Sequence, residues 1–270
     1  MKSTIIYILS LPILILFSCE ETILIETDQA DPQIIVEGLI TNEMKRHTIK
    51  ITQTADFYQA GDTPRISDAS VTVSDNEGNT FIFLEEEKGI YRPQVAFEAK
   101  IGNTYDLTID INGKLLTASE DLLPVTTIDS LTFGLNEEDT EEEEVDIFSV
   151  YMYTIEPQDE DNYYLFKFYR NSYWLNEEGE DITVTDDTAV GEAIDGIEAP
   201  YWYFKGDTAR VEMYSLTRES FVFWNDVATL VFSDGGVFAP LPANPRSNIT
   251  GGALGVFQVS AISAKEIIIE

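Results

Sequence analysis

Apolar and polar residues alternate along many short runs of the chain, and this alternation predicts β-strands. In residues 47–55 (HTIKITQTA), Ile49 and Ile51 share one face while polar side chains share the other. Such a two-residue period is typical of a strand with one buried face. Residues 70–86 (SVTVSDNEGNTFIFLEE) predict two strands joined by a tight turn, in which Gly78 supplies a positive φ.

Turn residues between these runs indicate how the first strands are joined. Residues 105–119 contain the pair Asn112-Gly113 between two alternating segments, which is a strong signal for a type I′ hairpin. Short strands at this spacing predict an immunoglobulin-like β-sandwich over residues 32–123.

The remaining residues, 124–270, predict a second, β-rich domain with one helix. Alternating runs return at 147–155 and 162–174, after an acidic stretch at 134–146 that is interpreted as a loop. Apolar residues recur at helical spacing near 217–232, where Thr217 can cap the helix and Glu219 lies in its first turn. Residues 252–270 predict two final strands. The expected fold class is therefore all-β in the main, an immunoglobulin-like sandwich followed by a β-rich domain with one helix.

The first residues have the pattern of an export signal. Lys2 precedes an apolar run, Ile5–Phe17, which is shorter than the roughly 20 residues that span a membrane. The run ends on Leu16-Phe17-Ser18-Cys19, which resembles the lipobox of bacterial lipoproteins. We therefore predict a lipoprotein signal peptide at 1–18, lipidation at Cys19 and an acidic tether at 19–31. The alternative is an incidental cysteine beside an ordinary cleavage site.

Cys19 is the only cysteine in the chain, so no disulfide and no other cysteine site is expected. Several acyl chains on one cysteine would hold the protein firmly at a membrane. Glu20 and Glu21 resemble the acidic tags of surface-exported lipoproteins, which favours the cell surface of the outer membrane over a periplasm-facing position. A solvated tether is the alternative reading of these two acids.

Composition narrows the classes of partner. The chain carries a formal net charge of −33, and 44% of its residues are hydrophobic. The hydrophobic content predicts a folded protein, while the charge opposes binding to nucleic acid or to anionic headgroups.

Candidate catalytic and metal-binding residues are few. His47 is the only histidine and lacks evident partners for a catalytic triad or a zinc site, so we interpret it as a surface residue beside a turn. Pairs of carboxylates are numerous, and no pair stands out. The sequence predicts a protein that is not an enzyme and that needs no cofactor.

Oxygen-rich turns raise the question of calcium. Asp75, Glu77 and Asn79 alternate around one turn, and residues 137–144 form an acidic run. The twelve-residue calcium loop, with glycine at its sixth position, is absent. A solvated turn and a charge run are the favoured interpretations, and no metal site is assigned.

Aromatic residues supply the candidate binding residues. Tyr201, Trp202 and Tyr203 are consecutive, so both faces of a strand would carry an aromatic side chain and one face would be exposed. These residues are candidates for contact with a ligand or partner, and the alternative is packing inside the domain.

Several segments together resemble one family. They are IIVEGLITNE (34–43), VTVSDNEGNTF (71–81), GNTYDLTI (102–109), LPVTTIDSL (123–131) and NPRSNITGGALGVFQVSAIS (244–263). With the lipobox, they resemble an uncharacterised outer-membrane lipoprotein family of Bacteroidota, that of domain of unknown function 4249. Members of that family tend to accompany TonB-dependent outer-membrane receptors, and the resemblance implies no catalytic residue.

The expected function follows from the anchor and the resemblance. We expect an outer-membrane lipoprotein that is a non-enzymatic accessory or binding subunit of a TonB-dependent nutrient uptake system, with such a receptor as its partner. The alternative is a surface adhesin or glycan-binding lipoprotein that acts without a transporter.

Overall fold

Strands make up most of the structure. The computed structural model describes residues 31–55, 61–155, 161–176, 182–186, 194–233 and 243–270. Its strands are β1 (Ile34–Thr41), β2 (Thr48–Gln53), β3 (Ser70–Asp75), β4 (Thr80–Glu87), β5 (Ile90–Pro93), β6 (Thr104–Ile111), β7 (Lys114–Asp121), β8 (Ile128–Leu135), β9 (Phe148–Thr154), β10 (Tyr163–Arg170), β11 (Tyr173–Trp174), β12 (Thr183–Asp186), β13 (Ile194–Glu198), β14 (Thr208–Leu216), β15 (Leu254–Ser260) and β16 (Ile262–Ile268). Two helices lie within these ranges, α1 (Glu137–Glu143) and α2 (Arg218–Val231).

The first sheet has eight strands in the order β15-β1-β2-β5-β4-β3-β6-β7. It curls until its two outer strands approach each other, and the Thr250 amide, just before β15, donates to the Thr117 carbonyl of β7 at 2.8 Å. Alternate residues point inward and close a common core, as the pleat of a strand requires. That core includes Val36, Ile49, Ile51, Val73, Leu107, Ile109, Leu116 and Phe257.

Two smaller sheets enclose a second core. One contains β11-β10-β14-β16, with β12 also paired to β10, and the other contains β13-β9-β8. Between them lie buried residues from both sheets, among them Val150, Met152, Phe166, Phe168, Tyr203, Val211 and Met213. The opposite face of β10 and β14 packs against α2 through Leu165, Tyr214 and Leu216.

A single residue, Ala261, carries the chain from the first sheet into the second. β15 pairs in parallel with β1, and β16 pairs antiparallel with β14. Ser215, near the end of β14, holds Ala261 through two hydrogen bonds. The Ser215 amide donates to the Ala261 carbonyl at 3.0 Å, and the Ser215 hydroxyl accepts from the Ala261 amide at 3.0 Å. The main chain of both sheets is therefore joined at this point.

Local sequence signals explain most of the elements. The Asn112-Gly113 hairpin is confirmed, with positive φ at both residues. Helix α2 is also confirmed, since the Thr217 hydroxyl accepts from the Ser220 amide at 3.2 Å as its N-cap. The acidic stretch at 134–146 is not only a loop: Asn136 caps the seven-residue helix α1, whose first turn is acidic and therefore favourable.

The predicted fold class, mainly β with sandwich-like sheets, is confirmed. The expected N-terminal unit at 32–123 nevertheless receives strand β15 from the end of the chain, and residues Pro32–Glu270 group into one compact unit. Neither helix in the described ranges has the length and apolar character needed to cross a membrane.

Gly255 should be essential to the joining of β15 to β1. Its φ is +97°, and a β-carbon there would collide with the carbonyl oxygen of Val36. Gly102 is the matched control, with φ +89° and open space around it. Gly102→Ala should cost about 1–2 kcal/mol of unfolding free energy from backbone strain alone, and Gly255→Ala at least about 3 kcal/mol. Urea denaturation measures both, and equal losses would show that the close approach of Gly255 to Val36 is unimportant.

Candidate functional site

The hairpin of β10 and β11 displays two aromatic side chains at its tip. Asn171 and Ser172 form the turn with φ of 53° and 69°, which is the geometry of a type I′ hairpin. Tyr173 is 78% exposed and Trp174 is 48% exposed. Because Tyr173 pairs with Arg170 and Trp174 pairs with Tyr169, the two aromatic side chains lie on opposite faces of the hairpin.

Arg170 lies on the same face of the hairpin as Tyr173 and contacts the loop before β14. Its Nη1 donates to the Trp202 carbonyl at 2.9 Å, and its guanidinium lies 5.4 Å from the centre of the Phe204 ring. Trp202 is 44% exposed and Phe204 is 36% exposed. Tyr173, Trp202, Phe204 and Arg170 together are called the aromatic surface below.

Hydrogen bonds fix the main chain beneath the aromatic surface. The Asn171 side chain donates to Asp207 at 2.6 Å and accepts from the Thr208 amide at 2.9 Å. Asp207 also accepts from the Phe204 amide at 2.9 Å. The exposed rings therefore stand on ordered backbone, which reduces the entropy lost when a partner binds.

The three consecutive aromatic candidates have different environments. Trp202 is exposed, as a contact residue must be. Tyr201 is partly buried and packs against Phe168, with ring centres 5.7 Å apart. Tyr203 is fully buried in the second core, so its assignment as a surface contact was wrong: its carbonyl and amide pair with Phe148 and turn its ring inward. The predicted lipidation residue Cys19 lies outside the described residues.

His47 is buried, and the prediction of a surface histidine was wrong. Its side chain reaches Phe97, with Nε2 2.9 Å from the Phe97 carbonyl and the two rings 4.6 Å apart. Burial lowers the pKa of His47 from 6.5 to about 4, since a charged imidazole would lose its hydration. His47 is therefore a neutral core residue at physiological pH.

The oxygen-rich turns are occupied by the protein's own donors. Asp75 accepts from the amides of Glu77 and Asn79 at 3.1 and 2.8 Å and from the Asn79 side chain at 2.8 Å. Glu77 instead pairs with Lys100 at 2.5 Å, and most of the 137–144 run lies in α1. Within the described ranges, no group of three or more His, Cys, Asp or Glu residues is arranged to hold a metal ion.

Glu120 is a buried carboxyl that the sequence analysis did not single out. Asn248 Nδ2 donates to its Oε1 at 2.6 Å, and the Thr217 hydroxyl bonds its Oε2. Burial raises the pKa of Glu120 from 4.5 to about 7. The alternation of Leu116, Ala118 and Glu120 along β7 is the signal that places it on the inner face.

Glu212 is a second buried carboxyl, on the face of β14 that packs against α2. It accepts from the hydroxyls of Tyr169 and Tyr214 at 3.0 and 2.6 Å and pairs with Arg210 at 2.8 Å. Burial opposes ionisation, but these hydrogen bonds prevail and lower the pKa of Glu212. Three donors fill the hydrogen-bonding positions of this carboxylate. Such an arrangement is structural, because a general base needs an oxygen that is free to accept a proton from substrate.

The protein is therefore mainly β, and it exposes the aromatic side chains of Tyr173, Trp202 and Phe204 on one surface. The family model described as "Domain of unknown function (DUF4249)" matches residues 20–266, and the chain belongs to that family. No curated protein matches the chain. Among solved structures, a two-domain fibronectin type-III segment from chicken tenascin is similar at 12% identity, over 68% of this chain and 91% of that one, with a TM-score of 0.20.

Glu120 should make the stability of the protein depend on pH. Its pKa is higher in the folded state than the 4.5 of an unperturbed carboxyl. The stabilisation that protonated Glu120 adds to the free energy of unfolding is therefore fully present below pH 4.5. It is lost as the pH rises to about 7, and the loss is about 3 kcal/mol. Glu120→Gln, which imitates the protonated side chain, should remove this part of the pH dependence in urea denaturation at pH 5 and pH 8.

The control for Glu120 is its exposed neighbour Asp121 on the same strand. Asp121→Asn should leave the difference in unfolding free energy between the two pH values close to that of the wild type. An equal pH dependence in wild type and Glu120→Gln would contradict the elevated pKa.

Proposed function

We propose that the protein is an outer-membrane lipoprotein that acts by binding rather than by catalysis, as an accessory subunit of a TonB-dependent nutrient uptake system. The observation that carries this proposal is the aromatic surface on its rigid support. Exposed aromatic and arginine side chains in one place are the composition of protein–protein interface cores. The buried Glu120, Glu212 and His47 are each held by the protein's own contacts, so recognition is the simpler role.

A lipid anchor would help such a subunit find its partner. Acylation at Cys19 would confine the protein to the membrane that also contains the receptor. Confinement raises the effective concentration of each protein near the other, so a modest interface suffices for a lasting complex. The surplus of negative charge opposes contact with anionic headgroups.

The partner in the proposal is a TonB-dependent receptor. The resembled family's association with such receptors supports this choice, and the aromatic surface supplies the contact. A glycan-binding adhesin is the second candidate, because the same exposed rings could stack on a sugar. The two candidates differ in whether a membrane receptor accompanies the purified protein.

Replacement of the lipobox cysteine tests the anchor. Cys19→Ala should yield protein without acyl label in the soluble fraction, since the thiol that carries the lipid is missing. Metabolic labelling with an alkyne fatty acid, followed by membrane fractionation, measures both effects against the wild type. A variant that stays in the membrane with undiminished label would refute lipidation at this residue.

Truncation of the aromatic surface tests the complex. Tyr173→Ala and Trp202→Ala should each reduce recovery of a TonB-dependent receptor in a mild-detergent pull-down by about tenfold, because interface aromatics often contribute 2 kcal/mol or more. Phe232→Ala is the matched control, since Phe232 is an aromatic residue with 65% exposure that follows α2.

Thermal unfolding of the same variants separates contact from packing. A partner contact predicts reduced recovery with an unchanged Tm, whereas a core role predicts a lowered Tm. Wild-type protein that is repeatedly recovered without a receptor, while the receptor is expressed, would contradict the accessory role and favour the adhesin.

A further inference from the structure

The predicted tether joins the first sheet at the end that lies away from the second sheet. β1 begins at Ile34, shortly after the tether, 19–31. It ends at Thr41, which is paired with Ser260 beside the crossing at Ala261. The full length of β1 therefore separates the tether from the second sheet.

The β6–β7 hairpin turns at the same end of the first sheet as the tether. β7 begins at Lys114, directly after this turn. Just beyond its last residue, the Leu123 carbonyl accepts from the Ser215 hydroxyl of β14 at 2.8 Å. Ile34 and Lys114 thus both start strands that run toward the second sheet, and the end of the first sheet where they lie is called the anchor end below.

The aromatic surface lies at the far end of the second sheet from the crossing. The Thr208 amide, at the start of β14, donates to Asn171 of the β10–β11 turn at 2.9 Å, and Thr208 pairs with Ile268 at the end of β16. At the other end of the same two strands, Tyr214 pairs with Ile262, which directly follows the crossing. The length of β14 and β16 therefore separates the aromatic surface from the first sheet.

The chain does not fold back at the crossing. Only Ala261 separates β15 from β16, and the two strands pair with different sheets, whereas the tightest common hairpins need two loop residues. Each strand has seven residues and is about 20 Å long. The aromatic surface is therefore about 30–45 Å from the anchor end, where the lower value describes a right-angled crossing and the upper a straight one.

A lipid surface is the competing occupant of the aromatic surface, because exposed tryptophan and tyrosine also occur at membrane–water interfaces. With Cys19 lipidated, the aromatic surface could meet lipid end-on only if the anchor end stood about 30–45 Å from the membrane. Residues 19–31 span at most about 45 Å when fully extended, and such extension costs chain entropy. The net charge of −33 opposes a protein that lies along anionic headgroups.

We infer that the aromatic surface is held at the membrane-distal end of the lipidated protein, where it binds a segment of the receptor that projects from the membrane into water. The inference rests on the proposed function and deepens it by stating which part of the partner is bound. Tyr173, Trp202 and Phe204 then meet an apolar protein surface, because lipid and the membrane-embedded wall of the receptor lie at the opposite end of the molecule.

Energy transfer to labelled lipid measures the orientation without a receptor. Lys114→Cys, at the anchor end, and Lys205→Cys, next to Phe204, are matched variants because both lysines are exposed. Each carries a maleimide donor in full-length lipidated protein, in phosphatidylcholine vesicles that contain a headgroup acceptor, and an unchanged Tm shows that it is folded. Transfer from position 114 should exceed that from position 205 at least about twofold, given the separation of the two ends. Equal transfer, or greater transfer from position 205, would overturn the inference.

Unanchored protein distinguishes lipid from protein as the occupant. Cys19→Ala protein, purified without its lipid, should not co-sediment with phosphatidylcholine vesicles. Co-sedimentation that the further change Trp202→Ala removes would overturn the inference, because the aromatic surface would then bind lipid.

Crosslinks from the aromatic surface identify the part of the receptor that is bound. A benzophenone amino acid at position 173 should join to hydrophilic receptor peptides outside the membrane-spanning segments, as sequenced by mass spectrometry. Crosslinks confined to membrane-spanning segments would overturn the inference. Loss of the receptor complex altogether would instead contradict the proposed function, and energy transfer from positions 114 and 205 would still measure the orientation.

Discussion

The passage of the chain from β15 to β16 is the constraint on which the rest of the structure depends. Within fifteen residues, 254–268, the chain completes the edge of the first sheet and then the edge of the second. The crossing is fixed by Ser215 and Ser260, since the Ser260 hydroxyl donates to the Ser215 carbonyl at 2.6 Å. Helix α2 joins the same network through Trp224, whose indole donates to Gln258 of β15 at 2.8 Å. The β15–β1 pairing, which the absence of a side chain at Gly255 permits, therefore leads directly into the link between the first sheet, the sheet of β14 and β16, and helix α2.

The proposed binding surface lies at the edge of the second sheet that β11 forms. Among the described strands, β11 is the outer strand of the second sheet at this end. One face of the β10–β11 hairpin carries the aromatic surface, and on the other Lys167 lies against the rings of Trp174 and Tyr214. Hydrogen bonds occupy the buried carboxylates of Glu120 and Glu212, and the proposed recognition depends on the exposed aromatic rings.

Local signals made much of the fold predictable. The Asn112-Gly113 turn, the alternation in β2 and the Thr217 cap of α2 each depend on residues close in sequence, and each is confirmed. The parallel pairing of β15 with β1 was not predictable in this way, because it joins residues about 220 positions apart. His47 was misassigned for the same reason, since Phe97, fifty residues away, covers it. Among the aromatic candidates, alternation showed that Tyr203 and Trp202 face opposite sides, but only tertiary packing decides which side is the core.

Site-specific photo-crosslinking in living cells is the most direct test of the central claim that the aromatic surface binds a membrane receptor. A benzophenone amino acid would replace Tyr173 in one strain and Ile82, a residue of the first sheet with 61% exposure, in another. We predict that irradiation joins the protein to a TonB-dependent receptor from position 173 and not from position 82. Absence of a crosslink at 173, or an equal crosslink at both positions, would contradict the account.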